Sequence, residues 1–294
     1  MKKTYKVIAI ICTLAIAIGL VTFTLLTLPP LNLQQTATPS TSTSANTHMA
    51  TSPNLKQPTF HGVPVYSYRA IQVYPHDSSA FTQGLTFDDD GCLIESTGLL
   101  GNSSLRRVNL VDGQVLQKFA LASDYFGEGV TVVDDRVIQL TWRNSVGFVY
   151  DKCTFELLNT FSLDTEGWGL TYDGNFLIIS DGTSALYFLD LVTYQVVKSI
   201  NVYDVAGFVK NLNELEYVNG FVYANIWYSS KIAVINPITG QITAYIDLAD
   251  LDQRYTSENS MAVLNGIAYN SQTGQLYVTG KLWSDIYEIE ILWT

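Results

Sequence analysis

Histidine and cysteine are scarce in this sequence of 294 residues, which has three of each. The histidines, His48, His61 and His76, are scattered, and no Cys or His group has the spacing of metal ligands. That argues against a His-based zinc site. Three cysteines cannot build a disulfide framework: Cys12 lies in an apolar run, and whether Cys92 and Cys153 pair is left open. Basic charge is also in short supply, with 16 Lys and Arg against 27 Asp and Glu and a net charge of −11. Phosphate binding needs a basic footprint, so nucleic acid is not an expected partner, and the acidic balance mainly confers solubility.

Charge is wholly missing from Val7 to Leu28, an apolar stretch that follows Lys2, Lys3 and Lys6 and precedes Pro29-Pro30. It has about the length a helix needs to cross a bilayer and exceeds the apolar part of a usual signal peptide. The lysines place the N-terminus in the cytoplasm. The reading is a basic end at 1–6 and a signal anchor at 7–28, with the rest on the extracytoplasmic side of the cell membrane. A cleaved signal peptide, giving a secreted protein, is the alternative. Residues 29–59 are mostly Ser, Thr, Gln, Asn, Ala and Pro, which cannot bury enough surface to offset ordering entropy; they read as a flexible linker. Residues 60–294 remain for one large domain.

One phrase organises that domain: Gly84-Leu85-Thr86-Phe87, Gly129-Val130-Thr131-Val132, Gly169-Leu170-Thr171-Tyr172, the glycine-less Glu214-Leu215-Glu216-Tyr217, and Gly266-Ile267-Ala268-Tyr269. The copies start roughly 40 to 52 residues apart, a spacing typical of propeller blades. Each is followed by a turn pair (Asp90-Gly91, Asp134-Asp135, Asp173-Gly174, Asn219-Gly220, Thr273-Gly274) and further runs rich in Val, Ile, Tyr, Phe and Thr. Four runs per repeat are visible except in the last, where the chain stops; Val65 to Tyr74 can supply the missing strand and close the ring. The expected fold is all-β, a five-bladed β-propeller, rather than a large β-sandwich.

In a propeller the first strands line the central channel, so residues just before each phrase gather at one mouth. These are Gln83, Glu128, Trp168, Asn213 and Asn265, with Glu95, Trp142, Asp181, Trp227 and Lys281 as a second layer from the second strands. Carboxylates, amides, a lysine and three indoles suggest a small polar ligand between aromatic walls. Each residue also has a plainer reading. Tryptophans pack between blades, Lys281 can be a solvated turn residue, and Gln83 and Asn213 can satisfy backbone groups.

Ten collinear strings carry a resemblance, among them Tyr74-Pro75-His76-Asp77, Phe81-Thr82-Gln83-Gly84-Leu85, Tyr125-Phe126-Gly127-Glu128-Gly129, Leu212-Asn213-Glu214-Leu215-Glu216-Tyr217 and Val278-Thr279-Gly280-Lys281-Leu282-Trp283. From about Val65 onward the chain resembles the glutaminyl-peptide cyclotransferases of the plant and bacterial type. That family is a five-bladed propeller, unrelated in fold to the zinc-dependent animal enzymes, and converts an N-terminal glutamine to pyroglutamate with release of ammonia. The resemblance implies an acyl transfer that needs no metal. Glu128 moves the proton, Asn213 and Lys281 orient the carboxamide and stabilise the oxyanion, and Trp142, Trp168 and Trp227 form the walls, with Gln83, Phe81 and Phe126 beside them. It also allows a structural divalent cation in the channel, to which Glu95 or Asp181 would contribute, and gives His76 a structural role. The expected partners are peptides or proteins with N-terminal glutamine, met by a monomer. A non-catalytic, membrane-displayed propeller that binds peptide through the same mouth is the competing function.

Overall fold

The computed structural model describes residues 57–293, whose regular structure is strand apart from one short helix. The anchor at 7–28, most of the linker, Cys12 and His48 lie outside the described residues. Among the described residues no helix is long and apolar enough to cross a membrane. The first described strand starts at Thr59, next to the expected domain start.

Each organising phrase is the first strand of an antiparallel meander. The first strands are Thr82–Phe87, Gly127–Val133, Leu170–Tyr172, Leu212–Val218 and Leu264–Asn270. In repeats one to four the fourth strands are Val115–Ala120, Leu157–Ser162, Val196–Asn201 and Ile242–Asp247. The fifth repeat ends on its third strand, Asp285–Leu292, and its outer position is filled by the N-terminal strand Val63–Pro75, paired from Ser67↔Leu292 to Pro75↔Asp285. That strand does more than the sequence led us to expect. Its first residues also pair in parallel with the fourth repeat, Val65↔Tyr245 and Tyr66↔Ile246, so it stitches two repeats together.

The five first strands touch in cyclic order, the fifth against the first, giving a closed, propeller-like ring. Apolar faces of neighbouring repeats meet in clusters such as Leu140, Val149, Leu170, Ile179 and Leu189 between the second and third. The recurrent glycine is required by this approach: a Cβ on Gly169 would fall on the carbonyl oxygen of Asn213 in the next repeat. The fourth copy, without the glycine, does something else. Glu214 sends its carboxylate to two other repeats, accepting the backbone N–H groups of Leu85 (3.3 Å) and Ile267 (2.9 Å). Glu216 accepts that of Tyr269 (2.8 Å). Burial pushes both carboxyls up, Glu214 well above the usual range and Glu216 to about 8.

Two insertions carry no repeat signature. A hairpin, Tyr203–Asp204 with Gly207–Phe208, follows the third repeat. A helix, Ala249–Thr256, follows the fourth. The helix buries Leu251 and stacks Tyr255 on Trp283, ring centres 4.3 Å apart. Asp252 then accepts the N–H of Leu264 (2.8 Å), which fixes the loop that leads back into the fifth repeat.

Candidate active site

In four of the five repeats the pairing of first and second strands slips at the same place. The shifts fall between Thr82 and Gly84, Gly127 and Val130, Leu212 and Leu215, and Leu264 and Ile267. The residues left without a partner include Gln83, Glu128, Asn213 and Asn265. A bulge of this kind re-aims a side chain, here out of the alternation of the strand and toward one end of the ring.

Three of these four line one cavity of about 370 Å³, together with Phe81, Phe126, Trp142, Trp168, Trp227 and Lys281. Thus every residue expected to be catalytic or substrate-binding borders a single space. Asn265 stands behind it, donating to the carbonyl of Thr82 (3.0 Å) and to Gln83 Oε1 (3.4 Å). Gln83 in turn donates from Nε2 to Glu128 Oε2 at 2.6 Å, so the amide is aligned and the carboxyl group is held in place.

Glu128 is 3% exposed and Lys281 4%. Desolvation dominates both. It drives the Glu128 carboxyl well above its ordinary range, against the pull of Lys281 and the Gln83 hydrogen bond, and it lowers Lys281 to about 8 despite the attraction of Glu128. A carboxyl that holds its proton more tightly than usual and a lysine that holds its own less tightly therefore share one buried floor. Lys281 Nζ also lies 4.9 Å from the centre of the Phe81 ring. Asn213 is buried with Oδ1 unpartnered, an open acceptor at the same depth.

The walls form an arc of rings in successive edge contacts: Phe81 to Phe126 (6.1 Å), Phe126 to Trp142 (5.6 Å), then Trp168 to Trp227 (5.5 Å). The gap between Trp142 and Trp168 is bridged by one atom, Glu166 Oε2, which accepts both indole N–H groups at 2.7 and 3.0 Å. Glu166 was not foreseen. Its place one residue before Gly167-Trp168 was the available signal, but nothing in the sequence pairs it with Trp142. Leu99, Tyr228, Ser260, Met261 and Val263 also border the cavity, and the last three come from the loop after the inserted helix.

Two second-layer expectations do not hold. Glu95 faces away from the cavity into a buried network, its Oε1 accepting from His76 (2.9 Å) and Thr82 (2.8 Å), with Arg106 3.6 Å from Oε2. His76 is structural, as expected, its other nitrogen meeting the Trp283 carbonyl at 2.8 Å. Asp181 closes a local turn onto Thr183 and reaches Tyr187 (3.1 Å). Glu95 keeps its Oε2 without a hydrogen-bond partner, whereas Asp181 is taken up by its own turn. The carboxylates that lie between first strands, Glu214 and Glu216, accept backbone N–H groups of neighbouring repeats. Among the described residues no group of three or more His, Cys, Asp or Glu is disposed to hold a metal ion. Cys92 and Cys153 are unpaired thiols.

Residues 40–291 match the model of the glutamine cyclotransferase family. A glutaminyl-peptide cyclotransferase of Arabidopsis thaliana is 42% identical over 224 residues, covering 75% of this chain and 70% of the plant protein. The crystal structure of Myxococcus xanthus glutaminyl cyclase aligns with a TM-score of 0.73 at 35% identity, over 77% of this chain and 97% of that one.

Proposed function

The chain belongs to the glutamine cyclotransferase family, and we propose that it is a five-bladed propeller enzyme converting N-terminal glutamine of peptides or proteins to pyroglutamate, with release of ammonia. The observation that carries this reading is a buried, proton-avid carboxyl group, Glu128, on the floor of an indole-walled cavity beside a lysine.

The nucleophile is the substrate's own α-amine and the electrophile its γ-carboxamide carbon, so the protein needs only to fold the glutamine back, move a proton and meet the developing charge. As the C–N bond forms, Glu128 takes the proton of the amine. It then delivers a proton to the carboxamide nitrogen, which departs as ammonia when the tetrahedral centre collapses. A carboxyl whose proton affinity is raised by burial suits both halves. Lys281, in its charged form, faces the oxyanion, and Asn213 Oδ1 accepts from the carboxamide nitrogen. The indoles exclude water and hold the aliphatic part of the side chain. No metal enters these steps. We further propose that the segment at 7–28 anchors the enzyme with its propeller outside the membrane, a monomer acting on external substrates. A mature chain beginning after residue 28 would argue instead for secretion.

The test is direct: incubate the protein with a glutamine-initiated peptide and follow ammonia and the loss of the free amine. Release faster than the uncatalysed reaction is expected. No acceleration would leave a peptide-binding module in place of an enzyme.

A further inference from the structure

The second residue after the second strand adopts a left-handed backbone in four repeats: Leu99 (φ 81°), Gly182 (φ 78°), Tyr228 (φ 61°) and Leu282 (φ 61°). Glycine adopts such angles at no steric cost, whereas a side chain is retained there only against strain. Each position has its own explanation. Gly182 is glycine because a Cβ would come within 2.6 Å of the Trp168 ring. Leu282 packs into the core of the fifth repeat. Leu99 and Tyr228 have a different surrounding: both border the cavity.

Tyr228 is the odder of the two. It occupies the third place of a turn closed by Ser229 N–H to the Ile226 carbonyl (2.8 Å), where a positive φ calls for glycine. It is also 73% exposed, so burial does not hold it there. Its ring stacks on Trp227, centres 4.5 Å apart at 28°, and so carries the aromatic arc out of the cavity to its rim. Met261, 51% exposed, borders the same opening. A strained backbone that keeps a large exposed ring at the edge of a site points to a use for the ring.

The substrate's direction follows from the exposure gradient. Its amine and carboxamide must reach Glu128, Asn213 and Lys281, all under 5% exposed, so the following peptide bond leaves toward the rim. A cavity of about 370 Å³ lies near the small end for ligand sites, so the next residue meets the rim. We propose that Tyr228, with Leu99 and Met261, forms the subsite for the residue after the glutamine and selects an apolar, above all aromatic, side chain there. This rests on the cyclotransferase reading.

The experiment compares kcat/KM of the full chain on Gln-Phe-Ala-amide, Gln-Gly-Ala-amide and Gln-Asp-Ala-amide, by ammonia release. The Phe peptide is expected to exceed the Gly peptide by roughly three- to tenfold, the scale of one added aromatic contact. Tyr228→Gly, which relieves the backbone, should bring that ratio near one, and Tyr228→Phe should keep it. If the glycine variant melts early, Tyr228→Asn, which tolerates the same backbone, carries the comparison. A wild-type ratio near one, a preference for Asp, or a ratio that survives removal of the ring would overturn the subsite. No turnover of any peptide by the wild type would overturn the enzyme reading instead.

Discussion

Replacing Glu128 by glutamine separates the group's chemistry from its place in the fold. The amide has the same shape, and its oxygen can accept the 2.6 Å hydrogen bond from Gln83, so the cavity floor is kept. Lost is the ability to take a proton from the amine and return one to the leaving nitrogen. General acid–base catalysis is typically worth 10²–10⁴ in rate, about 3–5 kcal/mol of barrier, and kcat should fall by that much. Stability should move the other way. Because burial raises the folded-state pKa of Glu128 above its unfolded value, the folded protein favours the protonated acid. That contribution is full below about pH 4, where the unfolded acid is also protonated, and is lost as pH rises toward the folded pKa. Glutamine has no such proton to lose. Glu128→Gln should therefore melt at or above the wild type at pH 7, with the two converging near pH 4. Ammonia release and thermal melts at both pH values decide the matter. Turnover within tenfold of wild type would remove Glu128 from proton transfer, and a large drop in melting temperature at pH 7 would contradict the account of its burial.

Two further outcomes follow from the same geometry. With Lys281 lowered to about 8, its charge is present below that pH and lost above it, so kcat should decline as pH rises through about 8. Lys281→Arg, which keeps its charge, should hold kcat level over that range, and an unchanged alkaline limb would reassign it to another group. Gly169→Ala drives a methyl into the Asn213 carbonyl and should cost about 3 kcal/mol, roughly 6–12 °C in melting temperature. A shift under about 2 °C would mean that the ring gives way more easily than its packing implies.

Much of the fold was legible because the ring is built by repetition. Every glycine-led phrase became a first strand, every turn pair closed a hairpin, and the strand before the first repeat filled the gap in the last. The site was legible for a related reason: Gln83, Glu128 and Asn213 occupy one position of the repeat, and a shared bulge turns them the same way. Counting along the second strand was less successful. Glu95 lies within its strand, whereas Trp142 and Trp227 follow theirs, so the apparent equivalence joined residues at different depths. Glu166, Tyr228 and Met261 left no periodic trace. One acts through a contact between repeats, one through a backbone angle, and one through a loop placed by an inserted helix.

Closing the last sheet with the strand Val63–Pro75 has a consequence for synthesis. This strand leaves the ribosome early, and its partner Asp285–Leu292 leaves last among the described elements, so most of its length must wait for nearly the whole polypeptide before it can pair. The interval leaves most of that strand's hydrogen-bonding edge open, and joins made across so long a separation form slowly. Lys281, just ahead of that final strand, reaches Glu128 only at the same late moment. Premature release of the nascent protein, even by a few tens of residues at its end, thus yields a product without a shut ring and without a competent proton pair.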